Sequence, residues 1–148
     1  MTYYVHRGKL YILNVTAVRK ELYEFLKFFK AHARAMRRRP SSTVWIEPKA
    51  SGKDMKSMLG KFEYGLFNVR EIHNDAVKLG KWNRAELTEP FLASGNIILV
   101  KGAWNKEFIN QCGEFPNGAH DDQVDTLTYS TWLTLVKEEN TGGVEIEN

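Results

Sequence analysis

A single cysteine, Cys112, leaves the chain without an internal disulfide or a cysteine-based zinc site. The four histidines, His6, His32, His73 and His120, stand apart, with no HExxH and no paired spacing. No stretch approaches the roughly 18 apolar residues that a membrane span requires, and the N-terminus does not read as a signal peptide. The chain is therefore expected inside the cell, with no membrane partner. Neither GxxxxGK[ST] nor GxGxxG occurs, so nucleotide hydrolysis by this chain is not expected. Internal repeats are absent. The excess of one charge is small: +3, with a pI near 8.9. That balance permits an acidic partner such as nucleic acid without demanding one.

What is present is the composition of an ordinary soluble globular domain, 148 residues with 43% hydrophobic and 26% charged. The segment Thr2–Val15 reads as two β-rich runs around a turn at Arg7-Gly8, an opening hairpin. Leu22, Phe25, Leu26, Phe29 and Ala33 then recur at helical spacing. They predict a helix from about Val18 to Arg38 that stops before Pro40. The basic residues bunch there, in RAMRRRP (Arg34 to Pro40), as a solvated helix end or a phosphate contact. Ser42–Glu47 has the look of a buried strand ending in an acid. PKASGKDMKSML predicts a turn through Ser51-Gly52 into a helix, and Asn68–His73 a further strand. Asn83–Gly95 predicts a helix closed by glycine and interrupted at Pro90; Asn96–Gly102 a strand. Trp104, Phe108 and Cys112 share one helical face. Val124, Leu127, Thr128, Thr131, Trp132 and Leu135 mark a last amphipathic helix. Residues 138–148 form an acidic, glycine-containing tail expected to fray. Strands alternating with helices after a hairpin predict an α/β sheet with helices on its faces, spanning residues 1–137.

The most informative stretch is FPNGAHDDQVDTLTY, Phe115 to Tyr129. Asp121, Asp122 and Asp125 crowd the start of that last helix, and like charges so close stay ionised together only beside something positive. One explanation is helix capping, because acids in a first turn satisfy free N–H groups and complement the dipole. The other is a divalent metal. In open α/β sheets, sites form at the C-terminal ends of strands, and Glu47 ends one. Glu47 either meets solvent there or joins the aspartates. Carboxylates suit Mg²⁺ or Mn²⁺, and two such ions activate a water and stabilise a leaving oxygen in phosphoryl transfer.

VWIEPKASG, GKWNRAE, GAWNKEF and FPNGAHDDQVDTL occur in this order, and with them the chain resembles the C-terminal nuclease domain of tailed-phage large terminases over nearly its whole length. The resemblance implies an RNase H-like fold, a mixed sheet flanked by helices. It implies a nuclease that cuts concatemeric DNA during packaging, with an acidic cluster holding two divalent metals. Carried over by position, the metal ligands are Glu47, Asp121 and Asp122, with Asp125 a further catalytic candidate. Lys49, Lys53, Lys81 and Arg84 would contact phosphate, shape the site, or form ordinary surface ion pairs. His120 would tune the cluster or simply close its loop. The implied partners are double-stranded DNA, a terminase ATPase domain, the small terminase subunit and the portal, in the cytoplasm of a bacterial host carrying a phage or prophage.

The family's first catalytic aspartate lies on a central strand before the hairpin, whereas Met1 to Val15 holds no acid. The sheet is accordingly expected without its first, central strand, and the site without that ligand. This leaves two main readings open, a two-metal endonuclease with little sequence preference and a docking module for DNA or portal that does not cut. A structural relative of Holliday-junction nucleases or transposases is disfavoured by the pairing of KASG with HDDQVD.

Overall fold

A computed structural model of the chain describes residues 1–36, 42–48, 57 and 68–137. The chain divides into two compact units. The first comprises Met1–Ala17 and the chain from Asp75 onward; the second is Val18–Asn74.

The first unit opens with the expected hairpin, β1 (Thr2–His6) antiparallel to β2 (Lys9–Asn14). Its two turn residues both take positive φ, 49° at Arg7 and 68° at Gly8. That is the handedness whose twist matches a tight two-residue hairpin. A third strand, β5 (Ile97–Leu99), lies parallel to β2, pairing Leu10 with Ile97 and Ile12 with Leu99. Strand order is therefore β1-β2-β5. Because side chains alternate across a strand, Tyr3, Val5, Leu10, Ile12, Ile97 and Leu99 share one face. Leu10 and Ile12 are fully buried on it, packed with Phe91, Phe108, Leu127, Leu135 and Val136 from the helices.

Those helices are α3 (Gly80–Ala93), α4 (Asn105–Glu114) and α5 (Asp122–Thr131). A short helix, α2 (Asn74–Lys78), precedes them at the junction of the two units. Pro90 lies inside α3, where it removes one backbone donor. Two bonds then close the helix: Asn96 N donates to Phe91 O at 2.9 Å and Gly95 N to Leu92 O at 3.2 Å. This Schellman closure needs a left-handed residue, supplied by Gly95 at φ 72°.

Helix α5 is mostly buried although it reads TLTYST. Its hydroxyls are satisfied within the helix, Thr128 by the Asp125 carbonyl and Ser130 and Thr131 by that of Leu127. It continues into a π-helical turn, Trp132–Val136, which carries Leu135 and Val136 into the core.

In the second unit, α1 (Leu22–Met36) falls within the range expected from its apolar spacing. Strands β3 (Thr43–Ile46) and β4 (Asn68–Glu71) pair in parallel, Thr43 with Asn68 through Ile46 with Glu71. Leu26 of α1 and Ile46 of β3 form a small core with Phe29, Val44 and Val69. Of the helix expected after Ser51-Gly52 only Ser57, helical and exposed, is among the described residues, and the segment 138–148 lies outside them. The fold is mixed α/β, its strands arranged in a three-stranded and a two-stranded sheet.

Candidate functional site

Two of the aspartates at the start of α5, Asp121 and Asp125, face α3. On α3, Lys81, Arg84 and Thr88 are spaced to share a face; on α5 so are Asp121, Asp125 and Thr128. Opposed, the two rows form a polar seam. Lys81 Nζ lies 2.7 Å from Asp121 Oδ2 and 2.7 Å from Asp125 Oδ2. Arg84 Nη2 lies 2.7 Å from Asp125 Oδ1. The Arg84 guanidinium also donates to Thr128 Oγ1 at 3.3 Å and to the Ala76 carbonyl at 3.0 Å. Its carbon sits 3.9 Å from the centre of the Tyr129 ring. With its side chain only 3% exposed, Arg84 shapes the site from inside the protein. The phosphate-contact alternative for this residue is not what its geometry offers.

The three aspartates thus separate. Asp125, 19% exposed, is held at both oxygens by cations. Asp121, 48% exposed, shares Lys81 with it. Asp122 is exposed and makes no hydrogen bond or ion pair with any of the described residues. The Lys81 ammonium is drawn two ways: burial lowers its pKa, but the hydrogen bonds it donates to Asp121 and Asp125, with their negative charges, outweigh that and leave it above the ordinary lysine value.

Capping accounts for the acids only in part: Asp122 and Asp125 lie in the first turn, where they complement the helix dipole, but no cap hydrogen bond is made. Asp121 occupies the N-cap position, yet its side chain makes no capping hydrogen bond. The free N–H of Gln123 is met instead by Gln111 Oε1 of α4, at 2.7 Å. A second bond ties the same helices, Gln123 Nε2 to Glu107 Oε1 at 3.2 Å. Sequence reasoning missed this cap from another helix because nothing local to HDDQVD announces it. The row Lys81/Arg84 was not legible either, because the helix expected from Asn83 leaves Lys81 outside it, whereas the helix begins at Gly80.

Glu47 follows β3, half-buried in the second unit, and the aspartates belong to the first. Lys49 and Lys53 lie outside the described residues. His120 is exposed in the loop that leads into α5. Trp82, 55% exposed, stands next to Lys81 on α3 and approaches Phe115, with ring centres 6.0 Å apart.

Among the described residues no group of three or more His, Cys, Asp or Glu side chains is gathered for a metal. A hard cation such as Mg²⁺ needs less, since it keeps several waters and is commonly bound through one or two carboxylates. Asp121 and Asp122 fit that demand, being adjacent hard oxygen donors free of capping duty, Asp122 exposed and Asp121 half-exposed beside Lys81.

The site thus lies in a mixed α/β fold, with carboxylates gathered at the start of a buried helix. The family model described as the terminase RNase H-like domain matches residues 7–131, and the chain belongs to that family. Comparison with curated proteins and with solved structures returned no match. No helix among the described residues is long and apolar enough to cross a membrane.

Proposed function

We propose that this chain is the metal-dependent endonuclease domain of a phage DNA-packaging terminase, cutting concatemeric double-stranded DNA by phosphodiester hydrolysis with two Mg²⁺ or Mn²⁺ ions. Supporting this reading above all is the separation of the acids. Asp125 is fixed by Lys81 and Arg84, whereas Asp121 and Asp122 present carboxylates that neither cap the helix nor fill a core. Asp121, Asp122 and Glu47 would hold the ions. Bound there, the ions would supply activation of the attacking water and stabilisation of the leaving oxygen.

The chain's own residues do the rest. Arg84 and Asp125 lock α3 to α5 and so set the position of the helix start that carries Asp121 and Asp122. Gln111 secures the first turn of α5 without drawing on Asp121. Lys81, Lys49 and Lys53 would meet DNA phosphates, which makes binding weaken as salt rises. The proposed host compartment is the bacterial cytoplasm, with the terminase ATPase domain, small subunit and portal as partners.

One observation favours a second reading. Lys81 already places a positive charge between Asp121 and Asp125, as a docking module that binds DNA or portal without cutting would require. Metal dependence separates the two. Supercoiled plasmid is expected to be nicked and linearised in Mn²⁺, with cutting abolished by chelator and by Glu47→Gln. DNA binding that persists with no cutting under any metal would favour the docking module.

A further inference from the structure

The position of Lys81 says more than that the acids are neutralised. Its ammonium touches two carboxylates at 2.7 Å each and also approaches the Asp121 carbonyl at 3.5 Å. The two partners are not equivalent. Asp125 has a second cation, Arg84, and stays paired whatever Lys81 does. Asp121 has only Lys81 among the described residues, and half of its side chain faces solvent. We propose that Lys81 is a displaceable placeholder cation: it holds Asp121 while the metal is absent, and yields that carboxylate to the ion while staying tethered to Asp125.

This inference rests on the metal reading above, and it makes Lys81 a positioning residue that sets metal affinity. The physical basis is competition between cations for one carboxylate. An ammonium at hydrogen-bond distance stabilises the metal-free form and repels an incoming divalent ion by its charge. Its four-carbon stem is flexible enough to leave Asp121 without leaving Asp125. A buried guanidinium such as Arg84, held by four groups, has no such freedom.

The test is Mn²⁺ binding followed by calorimetry, beside thermal melting without metal. The variants are Lys81→Met, Lys81→Arg, Asp122→Asn, and Lys81→Met combined with Asp121→Asn. Lys81→Met is expected to bind Mn²⁺ roughly tenfold tighter, as removal of one nearby charge predicts, and to melt lower than wild type without metal. Lys81→Arg keeps the charge and is expected near wild-type affinity. Adding Asp121→Asn should erase the gain, because the effect passes through that carboxylate. Should Lys81→Met lose its fold, Lys81→Gln still donates to the carboxylates without charge and is expected to show the same gain.

Binding that depends on Asp122 but is unchanged or weakened in Lys81→Met would overturn the placeholder and leave the metal reading standing. Absence of Mn²⁺ binding in wild type and in every Lys81 variant would overturn both. Binding that appears only once Lys81 is neutralised would also overturn the placeholder, since Lys81 would then block the ion and not yield to it.

Discussion

Asp125 and Asp122 are three positions apart and of one chemistry, yet their surroundings assign them different work. Asp125 faces a guanidinium that is almost wholly buried, so removing the acid strands that charge. Breaking a buried pair from one side commonly costs about 3–5 kcal/mol; the 19% exposure of Asp125 and the second cation on Lys81 place this pair at the lower end. Asp125→Ala is accordingly expected to lower unfolding free energy by about 3 kcal/mol in urea titration. Asp122→Ala, at an exposed carboxylate, is expected to stay within about 0.5 kcal/mol of wild type. Equal losses in the two variants would contradict the division. From the sequence alone the anchoring of Asp125 could not be told from the exposure of Asp122, because spacing shows which residues share a helical face and not which cation stands opposite. The metal explanation of their repulsion and the ion-pair explanation both needed a positive neighbour. The structure supplies Lys81 and Arg84 as that neighbour.

At the scale of elements, the hairpin and the helices were largely legible because their signals are local. Alternation marked β1 and β2, and the turn at Arg7-Gly8 follows from the need for positive φ at both central residues. A Cβ on Gly8 would meet nothing within 4 Å, so the penalty for Gly8→Ala is purely conformational. It is expected to be about 1 kcal/mol, read from urea unfolding, and a neutral substitution would mean that the turn relaxes freely. Helix α3 begins at Gly80, before the expected Asn83, and that difference matters. The extra turn carries Lys81 onto the helix and into register with Arg84, which builds the seam. Pro90 is accommodated near the C-terminal end, where the Schellman closure at Gly95 takes over the hydrogen bonding. The cap from Gln111 was not legible, since it joins two helices through a contact that no local pattern encodes.

For the whole molecule, class and family could be read early, whereas strand partnership could not. The parallel pairing of Leu10 with Ile97 joins the beginning of the chain to its last third, and β5 carries too few residues to announce its neighbour. The two units have separate cores, one around Leu10, Ile12 and Phe108, the other around Leu26 and Ile46. Asp121, Asp122 and Asp125 all belong to the first unit. The anchoring of Asp125 by Lys81 and Arg84 therefore depends on the first unit alone.

The most direct measurement is plasmid cleavage in Mn²⁺ by wild type and Asp122→Asn side by side, with urea unfolding run on the same preparations. The account predicts that wild type cuts, that Asp122→Asn does not, and that the two unfold alike. Cleavage by a stably folded Asp122→Asn protein at the wild-type rate would contradict it.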